Sequence, residues 1–136
     1  MKKIETQDVF FSIEDGILCC SYKEHLEIDL TTARRIIKDR IAFTENKLFP
    51  ILIDFSNMKS TTKEARDYMN SAEGGLNGLI GGAFLSKSVV PSLFINLYLK
   101  INSPAIPARF FTDKVEAISW LKKINADHNA AQWKYE

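Results

Sequence analysis

Apolar and polar residues alternate near the start of the chain and then recur at helical spacing. Residues 9–13 and 17–22 predict two strands. The Asp15-Gly16 pair between them suits a tight turn, because both residue types tolerate a positive φ. The chain is therefore expected to open with a β-hairpin, after a flexible N-terminal segment over residues 1–7.

Helices and further strands follow in alternation. Helices are predicted over residues 30–44, from about 60–62 to 73, over 90–101 and over 112–124, and strands over 50–53, 79–85 and 109–111. The helix starts have Asp29 or Thr31, then Ser60, Thr61 or Thr62, and finally Thr112 as candidate caps. In the first helix, Arg40 is expected outside the apolar stripe.

The order of elements, β-β-α-β-α-β-α-β-α, predicts an α/β domain. The antiparallel hairpin leads into parallel strands connected by helices, which makes a mixed sheet. With 136 residues and 46% hydrophobic content, the chain is long enough for one core. One domain is expected over residues 8–124, followed by a C-terminal tail over 125–136.

The charge balance bears on location and partners. Eighteen basic and seventeen acidic residues leave a net charge of +1, and no basic cluster predicts nucleic-acid binding. Neither a signal peptide nor a membrane span is recognised, so a cytoplasmic protein is expected.

The residues that carry reactive chemistry do not form a known motif. Cys19 and Cys20 are adjacent in a predicted strand, so they point to opposite faces and do not favour a disulfide. His25 and His128 lack partners at metal-ligand spacing. No catalytic residues, metal or cofactor are predicted, and a non-enzymatic protein is expected.

Polar residues follow two of the predicted parallel strands. Asp54 and Ser56 come after one strand, and Lys87 and Ser88 after another. Because ligands of open α/β sheets bind beyond the carboxyl ends of the strands, these four residues are candidate ligand-binding positions for a small apolar or anionic molecule.

The predicted helix at 90–101 is apolar nearly all the way round. One side can cover the sheet, and the other needs a further cover, for which a second copy of the chain is favoured over a ligand. The candidate interface residues are Leu93, Phe94, Leu97 and Tyr98.

Several segments together resemble a known family. The quoted segments are Ile51-Leu-Ile-Asp-Phe-Ser56, Glu64-Ala-Arg-x-Tyr68, the residues from Asn96 through Pro104 and Pro107 to Phe110, and Glu116-Ala-x-x-Trp-Leu121. They are similar to STAS domains (sulphate transporter and anti-sigma-factor antagonist) and to the STAS/SEC14-like, uncharacterised small bacterial proteins. The resemblance implies a STAS-like fold over residues 8–124.

The resemblance also implies a regulatory alternative. Anti-sigma-factor antagonists carry a phosphorylated serine at a helix start, and Ser60 stands at that position, with Thr61 beside it. Ser60 and Thr61 are therefore phosphorylation candidates. Lys59 and Thr62 stand where the antagonist pattern has Asp and Gly.

Three functions follow from these features. The leading hypothesis is a non-enzymatic protein-association module, expected to form a homodimer or to bind a regulatory protein partner. The second is a small-molecule or lipid carrier or sensor with an apolar pocket. The third is a phosphorylation-switched antagonist.

Overall fold

The computed structural model describes residues 2–87 and 106–133, with side chains to residue 131. The first half contains strands β1 (Lys2–Glu5), β2 (Val9–Glu14), β3 (Ile17–Tyr22) and β4 (Leu26–Ile28), and then helix α1 (Leu30–Phe43). The second half contains β5 (Phe49–Asp54), β6 (Met58–Thr61), α2 (Lys63–Met69), β7 (Leu79–Leu85), β8 (Ala108–Phe111) and α3 (Lys114–Trp133).

The main sheet has six strands in the order β1-β2-β3-β5-β7-β8. The first three pair antiparallel, and β3, β5, β7 and β8 pair parallel. A second, two-stranded parallel sheet joins β4 to β6. The mixed α/β sheet predicted from the sequence is confirmed, with β5 in its parallel half.

The predicted hairpin between β2 and β3 is also present. Its turn residues Asp15 and Gly16 have φ values of 53° and 78°. Both lie in the left-handed region, which Asp and Gly enter at low cost. This turn fixes the register of β2 against β3, and with it the face on which each side chain lies.

The two faces of the sheet carry separate cores. Helices α1 and α2 cover one, here called the α1 face, whose buried residues include Val9, Phe11, Leu18, Cys20, Ile36, Phe43, Ile51 and Phe55. Helix α3 covers the other, the α3 face, whose buried residues are Ile17, Leu52, Ala83, Leu85, Phe111, Ala117 and Leu121. Cys19 and Cys20 therefore point to opposite faces, as the sequence predicts, and both are free thiols.

Helix α1 begins directly after Asp29, one of its two candidate caps. The Asp29 carboxylate accepts a hydrogen bond of 2.8 Å from the Thr32 N–H. This backbone hydrogen bond stabilises the charged form and lowers the pKa of Asp29 below its ordinary value. Asp29, rather than Thr31, is the N-cap.

Arg40 is buried, which corrects the expectation that it lies on the solvent side of α1. Its side chain is only 4% exposed. The guanidinium donates hydrogen bonds to the carbonyl oxygens of Gly75 (2.9 Å) and Asn77. Arg40 therefore ties α1 to the loop that leads into β7.

Three strands and part of a helix lie where the sequence predicts none. Residues 2–5, expected to be flexible, form β1 as an edge strand on β2. Strands β4 and β6 form from loop-like sequence, and α3 runs to Trp133 through residues assigned to a tail. Short strands gain their stability from pairing partners that are distant in sequence, so local pattern does not reveal them.

Candidate functional site

The carboxyl edge of the parallel strands presents one row of side chains on the α3 face. Adjacent positions in register are Glu5, Phe10, Ser21, Asp54, Leu85 and Phe111. Residues directly opposite each other on paired strands lie on the same face. Leu85 and Phe111 are buried, whereas Phe10 is 47% exposed. The row is therefore buried at its β7 and β8 end and exposed at its β2 end.

Helix α3 covers only part of its face. It packs chiefly on β5 and β7 and also covers Ile17 and part of Cys19 on β3, whereas among the described residues the side chains of β1 and β2 on this face stay largely uncovered. We call the uncovered positions the open strip: Lys3, Glu5, Phe10, Ser12, Glu14 and, at the end of β3, Ser21. Phe10 adds a half-exposed apolar ring to this otherwise polar strip.

Helix α3 forms a wall beside the open strip. One side of the helix, here called the α3 wall, consists of Lys114, Val115, Ile118, Ser119 and Lys122. These residues line an open groove of about 410 Å³. Val115 is 75% exposed, which is unusual for a large aliphatic side chain. The wall combines the exposed Val115 and the partly buried Ile118 with two ammonium groups.

Charges on the α3 wall and on the hairpin have opposite signs. The Lys122 ammonium lies 4.0 Å from the Asp15 carboxylate at the turn of the hairpin. At the other end, Lys23 bonds Glu5 at 2.7 Å and lies 5.2 Å from the centre of the Phe10 ring. These pairs are solvent-exposed, so each contributes little to stability and is open to exchange with a partner.

The thiol of Cys19 lies at the base of the strip. Partial burial and the nearby Glu14 carboxylate raise its pKa, while the Lys114 ammonium acts in the opposite direction. Its Sγ is 3.9 Å from a Glu14 carboxylate oxygen. A thiol with a raised pKa stays protonated at neutral pH and is a poor nucleophile.

Asp54 and Ser56 are joined by a local hydrogen bond at the end of β5. The Asp54 Oδ1 accepts a hydrogen bond of 3.0 Å from the Ser56 N–H, which closes a local turn after β5. Ser56 is exposed and Asp54 is partly exposed. Of the other two candidate positions, Lys87 follows β7 and is exposed, whereas Ser88 lies outside the described residues.

The phosphorylation candidates occupy a different element from the one expected. Ser60 and Thr61 belong to β6, and the helix start is held by Thr62, whose hydroxyl accepts a hydrogen bond of 3.2 Å from the Ala65 N–H. A phosphate on Ser60 or Thr61 would therefore extend from a strand, not from the first turn of α2. The helix-start geometry that motivated these candidates belongs to Thr62.

The predicted interface residues belong to the segment of the sequence between β7 and β8. Leu93, Phe94, Leu97 and Tyr98 lie outside the residues that the structure describes.

Phe10 and Val115 are not among the site residues predicted from the sequence, although the strand pattern held a signal for Phe10. Once Val9 and Phe11 are assigned to one face, strand alternation puts Phe10 on the other.

A second apolar feature lies on the α1 face, at the β7 and β8 side. Phe55 makes edge contacts with Phe84 and Phe110, with ring centres 6.5 and 6.1 Å apart. Phe84 and Phe110 are only partly buried. We call these three rings the aromatic wall. Asp54 lies on the α3 face, so the sheet separates this predicted anchor from the aromatic wall.

Two negative findings apply to the described residues alone. No group of three or more His, Cys, Asp or Glu side chains there has the arrangement of a metal site. None of the helices in the described ranges combines the length and the apolar character needed to cross a bilayer.

Comparisons with known structures support the fold. An uncharacterised DUF3478-family protein with a SpoIIAA-like fold, from Shewanella loihica PV-4, aligns with 88% of this chain and 90% of its own at 15% identity and a TM-score of 0.58. At this identity the likeness shows a shared STAS-like fold and no more. A protein of unknown function from Arthrobacter sp. FB24 aligns over 82% of this chain and 97% of its own at 22% identity, but its TM-score of 0.31 is too low to support an argument.

Comparison by sequence places the chain in a family. No curated protein matches it. Residues 11–125, which include the β2–β3 hairpin, the parallel strands and most of α3, match a domain of unknown function, DUF7793. This match spans most of the chain, and the protein therefore belongs to the DUF7793 family.

Proposed function

We propose that the protein is a non-enzymatic binding module with a STAS-like fold, which associates with another protein through the open strip. The single observation that carries this proposal is the position of Phe10. Its side chain is 47% exposed at the carboxyl edge of the sheet, and α3 begins at the same edge with Val115, which is 75% exposed, in its first turn. Burying both side chains against a partner would stabilise a complex by about 2 kcal/mol or more.

The chemistry of the strip favours binding over catalysis. Cys19 is the nucleophilic side chain nearest its centre, and the raised pKa of its thiol opposes thiolate formation at neutral pH. The remaining side chains are hydroxyls, carboxylates and ammonium groups that suit a polar rim around an apolar centre.

Site-specific photo-crosslinking in cells of the native host tests the association. A benzoylphenylalanine at position 10 is expected to give a protein adduct of defined mass, because the reactive group would lie in the interface. Introducing Val115→Asp in the same chain should remove the adduct, since a buried unpaired carboxylate opposes docking.

Ile4 supplies the matched control. It is also 47% exposed and lies on the strand that pairs with β2, but its register partner Phe11 places it on the α1 face. Benzoylphenylalanine at position 4 should give no adduct of that mass. If positions 4 and 10 give the same adducts, or neither gives one, the open strip is not an association surface.

The aromatic wall favours a second candidate function, a carrier or sensor of a small apolar molecule. The partly exposed Phe84 and Phe110 rings, both in contact with Phe55, would suit an acyl chain or a flat ring. We expect a fatty acid to raise the melting temperature of the protein, and Phe110→Ala to reduce that shift while Phe10→Ala leaves it unchanged. An unchanged melting temperature with a panel of fatty acids would contradict the carrier.

A further inference from the structure

We propose that the partner of the open strip is a second copy of this chain, packed face to face about a two-fold axis that runs parallel to the strands. This inference rests on the association proposed above and identifies the partner that binds the open strip. In the arrangement, the α3 helix of each copy covers its own half of the α3 face and the open strip of the other copy.

The dimensions of the open strip fit one helix. Strands β1 and β2, which α3 leaves uncovered, present a surface roughly 10 Å wide at a spacing of about 4.8 Å per strand. An α-helix with its side chains has a diameter of about 10 Å. Because α3 already forms one edge of the strip, a second α3 lying alongside it would fill the remaining width.

The positions of the residues along the strand direction determine the direction of the two-fold axis. Lys122 is level with the hairpin turn, since its ammonium lies 4.0 Å from the Asp15 carboxylate. Helix α3 begins at the carboxyl edge, where Phe10 also lies, and Val115 is in its first turn. A two-fold axis parallel to the strands keeps every residue at its own level. It therefore brings Val115 of the second copy to Phe10, and Lys122 of the second copy to the hairpin turn.

Charge complementarity supports the same pairing. The hairpin end of the open strip carries the exposed carboxylates of Glu14 and Asp15. On the α3 wall, the exposed ammonium group of Lys122 lies at this level, whereas Lys114 lies in the first turn of α3 at the other end of the strip. Since the acidic and basic groups are on one chain, two copies satisfy each other twice in a closed, isologous contact. The basic groups Lys3 and Lys23 lie away from the turn, and Lys23 is already paired with Glu5.

Complementary charge reversal tests this arrangement in purified protein. Glu14→Lys places like charges opposite Lys122 in both halves of the dimer, and Lys122→Glu places them opposite Glu14. Each variant alone is expected to lose self-association by about tenfold or more in Kd, measured by sedimentation equilibrium. Mixing the two variants restores opposite charges in both halves, so a mixed dimer should form with nearly the wild-type Kd.

The two variants should keep the wild-type circular dichroism spectrum, because both side chains are exposed. Leu48→Asp serves as a control for a charge at an exposed apolar position: Leu48 is 54% exposed and precedes β5, at the end of the sheet opposite to Phe10. It should leave self-association unchanged.

Three outcomes would overturn the inference. The wild-type chain could be a monomer at all concentrations, the reversal variants could remain dimers, or their mixture could fail to restore the dimer. If the wild type is a monomer while position 10 still crosslinks to a different protein in cells, the second copy is wrong and the association surface stands. If position 10 crosslinks to no protein, both proposals fail.

Discussion

At the scale of single residues, the most consequential side chain is Arg40. Burial lowers the pKa of its guanidinium, but the ordinary value is so high that the group stays charged at neutral pH. The cation is accommodated by the two carbonyl oxygens of Gly75 and Asn77. Hydrogen bonds from a charged donor stabilise more than neutral ones, and these two hold together segments 35 or more residues apart.

Replacing Arg40 is expected to destabilise the fold. Arg40→Met keeps much of the volume but leaves both carbonyl oxygens without their donor, which should lower the free energy of unfolding by about 2–4 kcal/mol. Urea denaturation measures the change. Lys38→Met, at an exposed position of the same helix, should stay within about 0.5 kcal/mol of wild type. Equal losses in the two variants would show that the buried hydrogen bonds are not the cause.

The reactivity of Cys19 should depend on Glu14. The carboxylate raises the pKa of the thiol, so Glu14→Gln is expected to lower that pKa and increase the thiolate fraction at any pH below it. Alkylation of Cys19 by iodoacetamide at pH 7.5 (about one unit below a free thiol) should become faster. Glu24→Gln, in an exposed loop, is the control. A rate that is unchanged by Glu14→Gln would mean that burial alone sets the pKa.

At the scale of elements, the cap of α2 decides where that helix starts. Ser60, Thr61 and Thr62 are alternatives from sequence, and the structure assigns the cap to Thr62, which bonds the Ala65 N–H. Thr62→Ala is therefore expected to lower the free energy of unfolding by about 1 kcal/mol. Ser60→Ala should have almost no effect. Calorimetry of the two variants distinguishes the positions, and a larger loss for Ser60→Ala would contradict the assigned start.

The elements that sequence predicts are those with strong local signals. The hairpin has alternating apolar residues and an Asp-Gly turn, and β5 has an apolar run followed by a carboxylate. Strands β1, β4 and β6 lack such signals because they are short and polar, and their stability comes from neighbouring strands. Helix α3 runs past its expected end because residues 125–133 contain three alanines and no Gly or Pro to end it.

The candidate site was predictable only in part, for a related reason. Asp54 and Ser56 come at the end of a recognisable apolar run, so their location at the carboxyl end of β5 could be predicted. The open strip depends on which strands α3 covers, and this is a property of tertiary packing. Burial of Arg40 could not be predicted either, because its acceptors are carbonyl oxygens of a loop that is remote in sequence.

At the scale of the whole molecule, the proposed dimer should respond to salt. Its contacts between Lys122 and the hairpin carboxylates would be near the rim, where ions screen charges within about 10 Å at 0.1 M salt. Raising sodium chloride from 0.05 to 0.5 M, a range over which the screening length falls by roughly threefold, is expected to increase Kd. The mixed dimer of the charge-reversal variants should show the same salt response. A Kd that decreases with salt would indicate an interface dominated by apolar contacts.

The two adjacent cysteines make each layer of the protein separately observable. Cys19 is shielded mainly on the α3 side and Cys20 wholly on the α1 side. A local opening in which α3 lifts from the sheet would expose the first thiol and leave the second one protected. Exposure of Cys20 requires α1 to separate from the sheet, an event close to complete unfolding. The natural sequence thus carries two thiol probes that report the opening free energies of two layers in one native molecule.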